Sequence, residues 1–219
     1  HPLMLEITQA SLEHLASLNL DLKNSSVLEV GAGVGNLTGF FEKLNCDILS
    51  IDARKELVKE HLERHPNRKV EVADLELPET YYMFSEFDIV FCYGTLYHLS
   101  NPEFVIEKLA KICKKIFLLE ICVNSVDNGN INLVKEQKFF LHQSFHGIGC
   151  RPGRDWVLSK LKKYFPFGYI TSSQPKHPDY ALEWPVLKPR ENTRAVFVGA
   201  KYQLNNPLLL EKLPMKQFN

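Results

Sequence analysis

No two cysteines in this sequence stand at CxxC spacing: Cys46, Cys92, Cys113, Cys122 and Cys150 are odd in number and scattered through 219 residues. That argues against a disulfide framework, and thiols in apolar runs are expected to be buried and reduced, as in the cytoplasm. No HExxH motif is present, and no metal is expected. Charge of one sign is missing too, because 26 Lys and Arg balance 26 Asp and Glu. No global field then draws the chain to nucleic acid or to an anionic membrane, and neither partner is expected. Long apolar runs are absent, so no bilayer-crossing segment is expected, and the N-terminus carries no secretory signal pattern. The chain opens on His1, not on methionine, as a trimmed or partial chain would. Internal repeats and low-complexity tracts are lacking.

What is present is an ordinary globular composition, 45% hydrophobic and 24% charged, with a length that suits one domain, residues 1–219, carrying a small insertion. Its centre is Ser26 to Phe40, SVLEVGAGVGNLTGF. Val27, Leu28 and Val30 favour a strand, and Gly31, Gly33 and Gly35 let the backbone turn sharply and approach a ligand. A helix is expected from near Asn36, its free N–H groups facing the bend. An amphipathic helix over Leu3 to Leu18 precedes this strand, and the next strand is Asp47 to Ile51. The alternation continues with a helix from Arg54 to Arg64 and strands at Lys69 to Ala73, Phe87 to Tyr93 and Lys115 to Val123. A helix from Pro102 to Cys113, opened by Ser100 or Asn101 as cap, separates the last two. Strands alternating with helices of this length predict a doubly wound, mostly parallel α/β sheet.

The rhythm breaks at Asn124 to Gly149, with four asparagines, three glycines, two histidines and three phenylalanines and a weak helical segment around Leu133 to His142. A stretch of about 124–150 between regular elements reads as a lid or substrate loop. Beyond it a helix over Arg154 to Tyr164, a strand near Tyr169 to Ser172, a proline-rich loop from Pro175 to Arg190 and a strand from Arg194 to Tyr202 are expected. The tail adds a turn of helix at most.

The bend is a nucleotide-type site, and its spacing selects among nucleotides. A dinucleotide fingerprint is G-x-G-x-x-G, but after Gly31 and Gly33 the third place holds Asn36, and a glycine comes one residue early at Gly35. An acidic residue still ends the next strand, Asp52, placed to accept from both hydroxyls of a ribose. The set Glu29, Gly31, Gly33 and Gly35, E-x-G-x-G-x-G, followed by Asp52, resembles the class I S-adenosylmethionine-dependent methyltransferases. Ala73, Asp74 and Leu75 match the family position that accepts from the adenine amino group, and FDIVFCYGTLYHL, Phe87 to Leu99, matches the motif that cups the methionine part. The resemblance covers residues 20–123 and extends more loosely to Tyr202.

It implies a seven-stranded Rossmann-like sheet with helices on both faces and an antiparallel last strand, and S-adenosyl-L-methionine as cofactor. Gly31, Ala32, Gly33 and Gly35 would offer bare backbone to it, Glu29 would take the ammonium, and Asp52 with Ala53 the ribose. Asp74 with Leu75 would take the adenine, and Cys92 with Tyr93 the methionine part. Each carboxylate has a plainer alternative: Glu29 bonded to nearby backbone, Asp52 as a helix cap, Asp74 bonded within its own turn. Two other functions stay open, an NAD(P)-dependent oxidoreductase and a non-catalytic S-adenosylmethionine-binding module.

Methyl transfer to oxygen needs alignment and a base, and His98 is the candidate base, with pocket shaping as its alternative. Tyr97 is a candidate wall. His142 and His146, four apart, are candidate substrate residues, and on a helix they would also share a metal-binding face. Arg151 and Arg154 could clamp an acceptor carboxylate or phosphate, or else pair with Asp155, Glu183 or Glu191 at the surface. Trp156 and Trp184 suit a polar ring. The expected acceptor is a small polar metabolite, methylated at oxygen, with a sugar or sugar nucleotide as first candidate.

Overall fold

The computed structural model describes residues 2–187 and 193–219, with side chains from Glu6 onward. Helix α1 (Pro2–Ser17) leads into strand β1 (Ser26–Val30), one turn of helix α2 (Gly39–Glu42), β2 (Asp47–Asp52), α3 (Lys55–Arg64) and β3 (Lys69–Val72). Then come β4 (Phe87–Tyr93), α4 (Pro102–Ile112), β5 (Cys113–Val123), β6 (Leu133–Lys135), β7 (Ile148–Cys150), α5 (Arg154–Tyr164), β8 (Phe167–Thr171), β9 (Thr193–Ala200) and β10 (Leu209–Leu210). The main sheet has the order β10-β8-β9-β5-β4-β1-β2-β3. β1 to β5 pair in parallel, and β9 lies antiparallel between β5 and β8.

Neighbouring residues along one strand enter opposite layers, which is why the central strands read as unbroken apolar runs. Leu28, Val90 and Leu119 pack with Val105 and Leu109 of α4 and Val157 and Leu161 of α5. Val27, Ile89 and Leu118 face the other way, onto Leu15 of α1, Leu18 just past its end and Phe41 of α2. Each such side chain removed from water contributes about 1.5–3 kcal/mol. Asn101 caps α4 by accepting from the Phe104 N–H, as its sequence position predicts. None of the five cysteines is in a disulfide.

Several expectations need correction. The sheet has eight strands, because the tail supplies β10, antiparallel to β8, where a helical turn was expected. The antiparallel strand expected late in the chain is β9, which lies inside the sheet between β5 and β8. The helix expected from Asn36 is a single turn starting at Gly39, since Gly31, Gly33 and Gly35 hold φ values of 67°, 54° and 83°, outside helical space. No helix covers Leu133 to His142. Instead β6 pairs antiparallel with β7, Leu133 opposite Cys150 and Lys135 opposite Ile148, and turns fill the residues between. Gly149 permits this ribbon, because a Cβ there would lie 2.5 Å from the Tyr97 carbonyl oxygen. Residues 188–192, which include Arg190 and Glu191, lie outside the described residues.

Candidate functional site

A parallel sheet leaves a crevice beyond the carboxyl ends of its strands. Here it is a cavity of about 390 Å³ walled by the glycine bend, the ends of β2 to β5, the ribbon loop and α1. Thr95 Oγ1 donates to the Val30 carbonyl at 3.1 Å and fills the space beside Gly31, where a Cβ would sit 1.9 Å from that oxygen. Gly33 faces open space within 4 Å, and its N–H donates to Asp52 Oδ2 at 3.0 Å. Asp52 Oδ1 accepts from the Arg54 N–H at 2.9 Å. Burial pushes the Asp52 carboxyl above its usual value despite these two N–H donors. Asp52 thus both lines the cavity and braces the bend.

Ala32, Ala53, Leu75 and Tyr93 also line the cavity. Asp74 lines it with one oxygen on the Glu76 N–H at 3.0 Å and the other on His146 Nε2 at 2.6 Å. His98 lines it between the two halves, its Nδ1 at 2.6 Å from Glu136 Oε2. Glu136, on the ribbon just past β6, also accepts from the Ser144 N–H at 2.6 Å and from Arg151 Nη1 at 3.3 Å. Burial raises its carboxyl, but the His98 hydrogen bond and charge, with Ser144 and Arg151, hold it below the usual value. Arg54 ties the ribbon loop down: one guanidinium nitrogen donates to the carbonyls of Lys138, Gln143 and Ser144 at 2.9, 3.1 and 3.3 Å. His142 and His146 both line the cavity mouth, yet from turns rather than a helix, so the expected metal-spaced face does not form. Among the described residues no group of three or more His, Cys, Asp or Glu is arranged to hold a metal.

Seven expected residues, Glu29, Gly35, Cys92, Arg151, Arg154, Trp156 and Trp184, stand away from this cavity. The carboxylate of Glu29, 1% exposed, accepts from Thr38 Oγ1 and Ser50 Oγ at 2.6 Å each, and burial pushes its pKa up. It stitches the bend to β2 beneath the cavity. Gly35 packs on His61, and its carbonyl accepts from Arg68 Nη1 at 2.9 Å. Cys92 is fully buried, its thiol pushed up to about 12 by burial. Arg154, 1% exposed, pairs with Asp127 at 2.7 Å and lies 3.8 Å over the Trp184 ring, while Trp156 packs in the core. Arg151 likewise stands outside, pairing with Glu136 and donating to the Tyr97 carbonyl. The expected anion clamp is therefore absent, because internal carboxylates already engage both guanidiniums. Glu183 pairs elsewhere, with Lys216.

Sequence reasoning missed Thr95, Arg54, Glu136, Glu120 and Arg194. Thr95, inside the fourth-strand motif, and Arg54, two residues after Asp52, had a local signal. Glu120 and Arg194 line the cavity from remote segments, and Glu136 meets it through His98.

Residues 28–115 match the family model described as a methyltransferase domain. A ubiquinone biosynthesis O-methyltransferase of Xanthomonas oryzae pv. oryzae is 33% identical over 112 residues, 47% of this chain and 45% of the relative. The chain thus spans under half the length of the curated relatives it matches. Among solved structures, the N-terminal domain of EvdMO1, crystallised in the presence of SAH (S-adenosylhomocysteine) and D-fucose, aligns with a TM-score of 0.69 at 18% identity, covering 89% of this chain and 83% of that one. Magnesium protoporphyrin IX methyltransferase from Synechocystis PCC 6803, with bound S-adenosylmethionine, aligns with a TM-score of 0.58 at 12% identity, covering 89% and 78%. These likenesses show the fold. No described helix is long and apolar enough to cross a membrane.

Proposed function

We propose, from the premise that this chain carries a methyltransferase domain on the class I S-adenosylmethionine-dependent fold, that it transfers a methyl group to an oxygen of a small polar acceptor. One observation carries the reading: the glycine bend, Asp52, Asp74 and His98, four features of the methyltransferase motifs, converge on one cavity. The bend fits the cofactor, for the bare α-carbon of Gly33 leaves open the space that a side chain would fill. Asp52 would hold the ribose and Asp74 the adenine, the latter partnered by His146. When bound, S-adenosylmethionine supplies an electrophilic methyl group on sulfur, whose C–S bond breaks as the acceptor oxygen attacks.

The chain's own work is alignment and proton removal. With Glu136 ionised, His98 Nδ1 carries the hydrogen of their bond, and Nε2 is the nitrogen free to take the acceptor proton. Glu136 thereby fixes tautomer and ring direction. The name of the Xanthomonas relative supports oxygen as the acceptor atom. A neighbour crystallised with D-fucose supports a polyhydroxylated acceptor.

The test is a calorimetric titration with SAH and with NAD, followed by labelled-methyl transfer from S-adenosylmethionine to a metabolite extract. SAH binding and label transfer are expected, and His98→Ala is expected to lower the rate about 100- to 10,000-fold with SAH affinity retained. Binding of NAD alone would sink the reading. A full rate in His98→Ala would remove the base assignment.

A further inference from the structure

One end of the cavity joins Tyr93 and Tyr97 of the fourth-strand motif to Glu120 and Arg194, which no motif marks. Glu120 on β5 is 3% exposed and accepts from Arg194 Nη1 on both oxygens, at 2.9 and 3.2 Å. Arg194 Nη2 donates to the Tyr97 hydroxyl at 3.0 Å, and its Nε lies 3.7 Å from Asp179 Oδ2. Beside them the Tyr93 hydroxyl and Arg194 Nε are buried with no hydrogen-bond partner among the described residues. Tyr93, Tyr97, Glu120 and Arg194 all line the cavity. Burying a hydroxyl without a partner is destabilising, so a ligand group that meets Tyr93 restores the missing bond.

Charge decides the class of that ligand. Glu120 and Asp179 set two negative groups against the single positive charge of Arg194, which opposes an anion. A neutral hydroxyl, by contrast, can donate to a spare lone pair of Glu120 and accept from Tyr93. The Tyr97 ring lies 4.1 Å from that of His98, so this end adjoins the proposed base. A hydroxyl held at Glu120 and Tyr93 would present its neighbour on the same acceptor to His98.

We propose that the Tyr93–Glu120–Arg194 end is the acceptor subsite and that it selects an uncharged acceptor with adjacent hydroxyl groups. The proposal rests on the methyl-transfer reading above. Its test uses the full chain loaded with SAH and ligand-observed NMR, with catechol and methyl fucoside as neutral probes and protocatechuate and galacturonate as their anionic counterparts. A neutral probe is expected to bind about tenfold more tightly than its counterpart, and Tyr93→Phe to weaken it about tenfold, the worth of one hydrogen bond. The unfolding midpoint of that variant does not fall, because only an unpartnered hydroxyl is removed. Tighter or equal binding of the anionic probes overturns the proposal. So does a Tyr93→Phe variant with unchanged probe affinity, or failure of both neutral probes to bind. Absence of SAH binding, measured first, overturns the methyl-transfer reading itself and is thereby distinguished.

Discussion

Glu29 and Asp52 show how one functional group acquires different work from its direction alone. Glu29 is the penultimate residue of β1 and Asp52 the last of β2, but Glu29 turns under the bend, onto Thr38 and Ser50, while Asp52 lines the cavity and holds the Gly33 N–H. The motif containing both was legible because its residues are close in sequence and its spacing follows strand and turn geometry. Which way each carboxylate points depends on Thr38 and Ser50, which no spacing rule marks. Glu136 was illegible for a different reason: it stands 38 residues from His98 in an insertion without a motif. Its role is open to measurement. Glu136→Gln should lower the single-turnover rate about 10- to 150-fold, the worth of a hydrogen bond to a charged group, while SAH affinity changes less than about threefold. An unchanged rate would reduce Glu136 to a brace for the ribbon.

Among the elements, the loop between β6 and β7 and helix α1 both line the cavity. Expecting a helix over Leu133 to His142 failed because helical spacing in a short segment is outweighed by pairing with a partner strand, β7, that sequence does not announce. The loop between these strands has exposed Phe139, Phe140 and Leu141 and is held largely by Arg54. Arg54→Ala should therefore speed chymotryptic cleavage within 138–145 severalfold while leaving cleavage elsewhere unchanged, read by mass spectrometry of limited digests. Helix α1 is tied by Ser11 to Tyr180 and by His14 Nε2 to Ser173 Oγ at 3.0 Å. Burial lowers the His14 pKa from 6.5 to about 4. Above pH 6.5 neither folded nor unfolded His14 carries the proton, so stability is unaffected. Between pH 6.5 and 4 only the unfolded chain takes it up, and stability falls with acid by at most about 1.4 kcal/mol per pH unit. Urea unfolding midpoints should follow that slope, and His14→Gln should flatten it.

At the scale of the whole molecule, the alternating pattern of the first 123 residues made the parallel half of the sheet legible, because its central strands β1, β4 and β5 are largely buried and read as apolar runs between helical segments. The remaining half was less so. Strand β9 could be recognised as a strand, but its place between β5 and β8 is a tertiary fact. Packing on both faces also shields the thiols: burial pushes Cys92, Cys122 and Cys150 to about 12 and Cys113 to about 11, while Cys46 alone is partly exposed. Ellman's reagent should titrate about one thiol in the native chain and all five in denaturant; more than one fast thiol would mean the core opens readily. The position of β9 has a kinetic consequence. The groups expected to hold the donor lie within residues 29–98, whereas Arg194 reaches Glu120 across 74 residues. On the ribosome, where the N-terminal part emerges first, β5 waits with an open edge until β9 arrives. The donor half of the cavity can thus take shape before the other half exists, and the late strand β9 is the one that brings Arg194 to the proposed acceptor end.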